Sequence, residues 1–221
     1  MKRALALVLL SAACATAPPP QQVDGEQGRL FVSDGGSGAG TPIVFIHGNG
    51  ANLTQWSAQL PHFRRSRRAI AYDLRGMGRS DVPVSGEYTI DGMVEDLHRL
   101  VNALNVDTFV LVGHSYGGAV AAAYAARYPE RVAGVVFADA AGDIKATREQ
   151  SERFLEALRM DKHATVRKAY EPMIATATED VKTAILTSVD RTSTEAYVEA
   201  MEGMRDFSVA RAVASIRAPM L

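Results

Sequence analysis

The sequence predicts an α/β fold built on a mostly parallel sheet, with helices on both faces and a helical lid. Short apolar runs at 43–46, 69–72, 109–112 and 132–138 have the composition of strands that are buried on both faces. Between them the chain shows helical periodicity, most clearly in the apolar face from Ile90 to Leu104. Strands that alternate with helices are typical of a parallel sheet covered on both sides.

Length and composition indicate one folded domain. The chain has 221 residues, of which 47% are hydrophobic, and 24 Lys and Arg oppose 25 Asp and Glu for a formal net charge of −1. This length is enough to bury a substantial core. Because there is no basic excess, we expect no nucleic-acid partner. The only cysteine, Cys14, excludes an intramolecular disulfide.

The N-terminus has the pattern of an export signal followed by a tether. Residues 1–13 join the basic Lys2 and Arg3 to an apolar run and a small-residue stretch. The apolar run is too short to span a bilayer comfortably, so we predict a signal peptide rather than a membrane helix. Residues 14–27, which contain three consecutive prolines, predict a flexible tether.

The position of Cys14 suggests a lipid anchor. Small residues directly before this cysteine resemble a bacterial lipobox, although Ser11 stands where the lipobox usually has leucine. We therefore expect lipidation at Cys14, contact with the membrane through that anchor, and a periplasmic or cell-envelope location. Ordinary cleavage near Ala15 is the alternative, and it would leave Cys14 in the discarded peptide or release a soluble secreted form.

A glycine-flanked serine joins the strand at 109–112 to an alanine-rich helix. The motif is Gly113-x-Ser115-x-Gly117, and its glycines leave room for a sharp turn with Ser115 at the tip. A strand, this turn and a helix in succession are the context of a nucleophile elbow, in which helix N–H groups can stabilise an oxyanion. The alternative is a glycine-rich turn whose serine only caps the helix.

The chain resembles the α/β-hydrolase family in three motifs that follow in the family's order: His47-Gly48-Asn49-Gly50, Asp73-x-Arg75-Gly76-x-Gly78-x-Ser80, and Gly113-His114-Ser115-Tyr116-Gly117-Gly118. The resemblance is to lidded serine esterase-like members, including C–C hydrolases and cofactor-free haloperoxidases. It implies a hydrolase core at 28–143, a helical lid at 144–213 and the start of the next core strand at 214–221. It also implies a small-molecule acyl or ester substrate, an acyl-enzyme intermediate, and neither metal nor organic cofactor.

The resemblance implies a role for each motif residue. Ser115 would be the nucleophile, and the N–H groups of Asn49 and Tyr116 would form the oxyanion hole. A serine at the elbow argues against the related epoxide hydrolases and haloalkane dehalogenases, which use aspartate there. The remaining motif residues would support the two loops: His47, Gly48, His114, Gly113 and Gly117.

A catalytic base is not assigned by the sequence. The family places its acid and then its histidine after the nucleophile, but no histidine follows His163. Asp139 ends the predicted strand at 132–138 and is a candidate acid, although this position is more often a supporting one in lidded relatives. We expect a truncated hydrolase that lacks C-terminal strands. The alternatives are a ligand-binding protein without turnover, and a rearranged site in which His163 is the base.

Overall fold

The computed structural model describes residues 21–140, 142–143 and 146–221, and it confirms the predicted α/β fold. Six strands form one sheet in the order β1-β2-β4-β3-β5-β6. Strands β4, β3, β5 and β6 are parallel to one another, whereas β1 and β2 are antiparallel additions at one edge. The strands are β1 (Gln21–Asp24), β2 (Arg29–Gly35), β3 (Gly40–Ile46), β4 (Arg67–Tyr72), β5 (Phe109–His114) and β6 (Val132–Ala138).

Helices cover both faces of this sheet, as the sequence predicts. Alternate residues of each strand face opposite sides, so Val44 and Phe45 of β3 belong to two different apolar clusters. Val44 lies in the main core beside α2 and α3, and Phe45 packs against Trp56 with ring centroids 5.0 Å apart. The helices of the described ranges are α1 (Gln59–Phe63), α2 (Ile90–Ala103), α3 (Tyr116–Arg127), α4 (Arg148–Tyr170), α5 (Glu179–Arg191), α6 (Thr194–Arg205) and α7 (Val209–Ser215).

The segment expected to be a lid contains four helices, and they do not all belong to one layer. Helices α4, α5 and α6 share an apolar cluster of their own, in which Leu158, Val189 and Tyr197 meet. Helix α7 instead places Val209 and Ala212 in the main core. Helix α6 contacts both layers, because its Ala196, Ala200 and Met204 also lie in the main core. The lid range of 144–213 remains a prediction.

The predicted tether over 14–27 is wrong for the part that the structure describes. Gln21–Asp24 forms β1, which pairs with β2 in antiparallel register and buries Val23. An edge strand is held by backbone hydrogen bonds, so its polar side chains resemble those of a linker. The expected signal peptide at 1–13, Cys14 and residues 14–20 lie outside the described residues.

Residues 219–221 lie alongside β6 in parallel. The Val135 N–H donates to the carbonyl of Pro219 at 2.9 Å, and the Phe137 N–H donates to that of Leu221 at 2.8 Å. This segment, which we expected to begin a core strand, therefore continues the sheet beyond β6. Within the described ranges, no helix is both long and apolar enough to cross a membrane.

A buried ion cluster ties the N-terminal hairpin to the core. Arg75 Nε and Asp96 Oδ2 lie 2.6 Å apart, with side chains only 3% and 2% exposed. Arg75 also contacts Glu26 at 3.0 Å and donates to the Gly92 carbonyl at 2.7 Å. The Glu26 N–H donates to Asp96 Oδ1 at 2.7 Å. Because both charges are desolvated, loss of either leaves an unpaired buried charge.

Replacing Arg75 tests the contribution of this cluster. We expect Arg75→Met to lower the free energy of unfolding by about 3–5 kcal/mol, because Asp96 would keep a buried charge without its partner. Urea unfolding followed by circular dichroism measures the loss. The matched control is Arg127→Met, which removes exposed contacts to Asp91 and Glu95 and should cost less than about 1 kcal/mol. Equal losses in the two variants would contradict the assignment.

Candidate active site

Ser115 lies at the sharp turn between β5 and α3, and its backbone is strained. Its φ of 49° and ψ of −119° place a non-glycine residue outside the ordinary helical and extended regions. Such a conformation costs about 1–3 kcal/mol and persists only where the surroundings enforce it. Here the Ser115 N–H donates to the Asp139 carbonyl at 3.2 Å, and its carbonyl accepts from the Gly118 N–H at 2.9 Å.

Close backbone packing explains the glycines on either side of the serine. A Cβ atom on Gly113 would overlap the carbonyl of Gly117, and one on Gly117 would lie 2.5 Å from the carbonyl oxygen of Ile46. The backbone of the elbow therefore packs directly against its own helix and the end of β3. Any side chain at these two positions would push α3 away from the sheet.

The Ser115 side chain has no capping role. It is half-buried, and it makes no N-cap hydrogen bond to α3. The alternative interpretation, in which Ser115 only caps the helix, is therefore not what the structure shows. A hydroxyl at a helix N-terminus with no capping role is the arrangement expected of an exposed nucleophile.

His47 braces the loop after β3 with both of its ring nitrogens. Nε2 accepts from the Leu74 N–H at 2.9 Å, so Nδ1 carries the proton and donates to the Gly48 carbonyl at 2.8 Å. Burial is the largest influence on this ring and lowers the pKa of His47 from 6.5 to about 4. With both nitrogens occupied, His47 is not free to act as a base.

His114 and Gly48 bring the loop after β3 against the elbow. A Cβ atom built on Gly48 would lie 2.9 Å from His114 Nδ1 and 3.3 Å from Ser115 Cβ. His114 Nδ1 is buried and has no hydrogen-bond partner among the described residues. Burial lowers the pKa of His114, and the nearby charge of Asp139 opposes this shift. His114 therefore packs under the loop as a neutral ring at neutral pH.

Asn49 and Tyr116 occupy the two positions from which an oxyanion hole would be built. Asn49 directly follows Gly48, and Tyr116 is the first residue of α3. The side chains of both residues point into the protein: Asn49 Nδ2 donates to the Tyr197 carbonyl at 3.0 Å, and the Tyr116 hydroxyl donates to the backbone carbonyl of Tyr88 at 3.3 Å. These contacts fix the backbone whose N–H groups are the candidate donors.

No acid–base pair for Ser115 is found in the described residues. Asp139 is exposed, and it approaches Ser115 through its backbone carbonyl rather than through a bridging histidine. The remaining histidines have other partners: His62 contacts Arg65, His98 stacks on Tyr128, and His163 pairs with Asp190 at 2.6 Å. Among the described residues, the structure therefore places Ser115 and its two loops together without a histidine beside the serine.

Two residues that the sequence analysis did not single out also hold the loop after β3. The Gly48 N–H donates to Gln55 Oε1 at 3.2 Å, and Tyr197 reaches the loop from the lid. Gln55 lies in a short 3₁₀ turn that shows no motif, and Tyr197 is 148 residues away from Asn49 along the chain. No local signal indicates either contact, because both depend on how distant segments pack.

One cleft of the described residues lies away from the elbow. It has a volume of about 580 Å³ and separates α4 from α5, between Arg167 and Leu186. Its lining does not include Ser115, so this cleft is separate from the elbow. In the described ranges, no group of three His, Cys, Asp or Glu side chains is placed to hold a metal ion.

These features define a class of protein: an α/β fold whose central parallel strand ends in a strained serine at a helix N-terminus. The model of the α/β hydrolase fold family matches residues 41–218. That match covers most of the chain, which therefore belongs to the α/β-hydrolase family.

Individual relatives agree with this assignment. Over 109 residues the chain is 40% identical to 2-hydroxymuconate semialdehyde hydrolase of a Pseudomonas species, covering 48% of this chain and 38% of the relative. It is 36% identical over 129 residues to 2-hydroxy-6-oxo-2,4-heptadienoate hydrolase of Pseudomonas putida, a match that covers 54% of this chain and 47% of that relative. The chain thus spans less than half the length of these curated relatives. An esterase from Exiguobacterium antarcticum has the same fold, with a TM-score of 0.80 at 21% identity, covering 90% of this chain and 78% of the esterase.

The protonation of His47 can be measured directly. We expect the imidazole of His47 to stay neutral, with its proton on Nδ1, until the pH approaches about 4. Its pKa is lower in the folded state than in the unfolded state, so the unfolded state binds more protons between these values. Stability should therefore fall as pH drops from about 6.5 to 4, by at most about 3 kcal/mol from this residue.

Nitrogen-15 NMR of histidine-labelled protein measures this titration, with His47→Asn used to assign the signal. A midpoint near 6.5, or a proton on Nε2, would contradict the hydrogen-bond network. His62, on the exposed side of α1, serves as the internal comparison.

Proposed function

We propose that this protein is a serine hydrolase that acts on carboxylic esters or related acyl bonds through an acyl-enzyme on Ser115. The observation that carries the proposal is Ser115, held in a strained conformation at the start of α3 with no capping hydrogen bond. Strained residues of this kind cluster at functional sites, where the surrounding structure enforces them. Family membership supports the same conclusion.

In the proposed reaction, Ser115 Oγ attacks the acyl carbon and forms a tetrahedral intermediate. The N–H groups of Asn49 and Tyr116 stabilise the negative charge on the former carbonyl oxygen. Collapse of the intermediate expels the alcohol and leaves an ester on Ser115, which water then hydrolyses. A general base takes the proton from Ser115 Oγ and passes it to the oxygen of the departing alcohol. None of the described histidines is placed to accept it from Ser115.

The substrate class is inferred from the fold and from the relatives. The two curated relatives are named as hydrolases of 2-hydroxymuconate semialdehyde and of 2-hydroxy-6-oxo-2,4-heptadienoate. Both names describe small carbonyl compounds, which supports a small-molecule acyl substrate here. The lid helices α4, α5 and α6 lie on the chain between β6 and α7, where they would contribute to substrate selection.

A second candidate is a non-catalytic ligand-binding protein, or an inactive hydrolase, on the same fold. The observation that favours it is that no histidine of the described residues is placed as a base for Ser115. The two candidates differ in the fate of an acyl group on Ser115. A hydrolase turns over an activated ester continuously, whereas a site without a working base releases at most one equivalent of alcohol.

A serine-reactive probe tests the nucleophile. We expect a fluorophosphonate to label the chain at Ser115, as shown by mass spectrometry of the tryptic peptide, because an oxyanion hole favours attack at phosphorus. Ser115→Ala should abolish this labelling. The matched control is Ser57→Ala, which removes an exposed hydroxyl after the 3₁₀ turn and should label as the parent does.

Labelling that persists in Ser115→Ala, or that is spread over several serines, would contradict the proposal. Release of p-nitrophenol from p-nitrophenyl acetate then separates the two candidates. A burst of one equivalent favours the alternative without turnover, and a linear phase that Ser115→Ala removes favours the hydrolase.

We also propose that the protein is exported and lipid-anchored through Cys14. The support is the order of basic, apolar and small residues before this cysteine. One diacylglyceryl group with an amide-linked chain would give stable membrane attachment, because two or more acyl chains bury far more hydrocarbon than one.

Radiolabelled palmitate tests the anchor in a bacterial host that expresses the whole chain. We expect incorporation into the protein and recovery in the membrane fraction, and Cys14→Ser should abolish both. Recovery of unlabelled protein in the soluble periplasmic fraction would instead support ordinary cleavage.

A further inference from the structure

Residues of α5 and α6 contact the loop that carries Asn49. Two segments meet here: the oxyanion loop, residues 48–52, and the α5–α6 corner, residues 188–197. Asn52 Nδ2 donates to Ser188 Oγ at 2.6 Å, and the Thr192 hydroxyl lies 3.3 Å from the carbonyls of both Gly50 and Ser188, which share its proton. The bond from Asn49 to the Tyr197 carbonyl is a further link, so side-chain hydrogen bonds tie the lid to the loop that would hold an oxyanion.

Apolar packing reinforces these bonds. A Cβ atom on Gly50 would lie 2.7 Å from the ring of Tyr197 and 3.2 Å from Val189 Cγ2, so both side chains press directly on the loop backbone. Tyr197 is 3% exposed, and its hydroxyl lies 3.3 Å from that of Tyr170 on α4. The position of the oxyanion loop therefore depends on the position of the α5–α6 corner.

A buried lysine fixes that corner. Lys162 is 9% exposed, and its Nζ donates to the carbonyls of Val189, at 2.7 Å, and Thr192. These carbonyls lie at the C-terminal end of α5, where the helix dipole favours a positive charge. The nearby Asp190 carboxylate pairs with His163 rather than with Lys162. A lysine is rarely buried without a specific set of acceptors, because desolvation of its ammonium group is costly.

The place of Lys162 in α4 is also unusual. The helix breaks at Asp161, whose φ of −153° and ψ of 88° are not helical. The next residue, Lys162, thus begins the second half of α4 and spans the gap to α5. The same side chain that holds the corner sits at the bend of the longest lid helix.

We propose that Lys162 is a positioning residue for the oxyanion loop: by gathering the carbonyls of Val189 and Thr192, it holds the α5–α6 corner that sets the Asn49 N–H against Ser115. The consequence for reactivity rests on the proposed function of Ser115, whereas the effect on the loop does not. Lys162 contacts neither Ser115 nor the oxyanion site, so its influence passes through Thr192 and Gly50.

Variants of the full chain test each link separately. Lys162→Met removes the ammonium group and keeps the length of the side chain, and Lys162→Arg restores the charge. Thr192→Val removes the hydroxyl that donates to Gly50 while leaving the main-chain carbonyl at position 192, so it remains informative if Lys162→Met does not fold. The matched control is Lys168→Met, an exposed lysine on the same helix.

Two measurements are made on each variant. Hydrogen exchange reports the protection of the Gly48 and Ala51 amides, which donate to Gln55 and to the Gly48 carbonyl. We expect Lys162→Met and Thr192→Val to raise exchange at these amides about fivefold or more, with little change in β5. Fluorophosphonate saturation kinetics separate reversible binding of the probe from the maximal rate of labelling. We expect the maximal rate to fall about tenfold with unchanged binding, since only alignment is lost.

Recovery of protection in Lys162→Arg and parent-like behaviour of Lys168→Met complete the expected result. Unchanged exchange at Gly48 and Ala51 in both Lys162→Met and Thr192→Val would overturn the proposal. So would a uniform rise in exchange over the whole sheet, since that indicates general destabilisation. If the parent chain is not labelled at all, the proposed function of Ser115 fails, and the exchange data alone decide the role of Lys162.

Discussion

The structure depends on one close contact, the packing of α3 against the ends of β3 and β5. Gly113 and Gly117 allow backbone to touch backbone, and this approach enforces the positive φ of Ser115. A strained residue persists only where many other contacts over-determine it. The alanine-rich helix that follows and the core beneath it supply those contacts, since α3 is buried along nearly its whole length.

Several segments that are distant in the chain converge on this elbow, and each contributes a different physical element. The loop after β3 brings Gly48 against Ser115, and the end of β6 accepts the Ser115 N–H through Asp139. His47 links the loop after β3 to the loop after β4 by using both ring nitrogens. Carboxyl ends of parallel strands meet at one edge of a sheet, and ligand sites form there for that reason.

Buried polar groups around the elbow are mostly satisfied, and the exceptions are instructive. Asn49 Oδ1 and His114 Nδ1 are buried without a hydrogen-bond partner in the described ranges. Unsatisfied buried atoms are costly and uncommon in folded proteins. Trp56 Nε1, Arg67 Nε and the Tyr72 hydroxyl are also buried without a partner in these ranges, so this cost is shared between the candidate site and the rest of the core, whereas Arg75 and Asp96 are paired.

The sequence by itself determined the parallel sheet, the helices on its two faces and the elbow, because apolar periodicity and glycine spacing are local signals. It also placed His47 and Asn49 after the strand β3, and Tyr116 at the start of the helix after β5. Only the tertiary structure decided that Gln21–Asp24 joins the sheet, that α7 packs on the core, and that Lys162 binds the carbonyls at the end of α5 while Tyr197 contacts the loop after β3. These contacts join segments far apart in the chain through backbone groups and buried polar atoms, which leave no periodic pattern in the sequence.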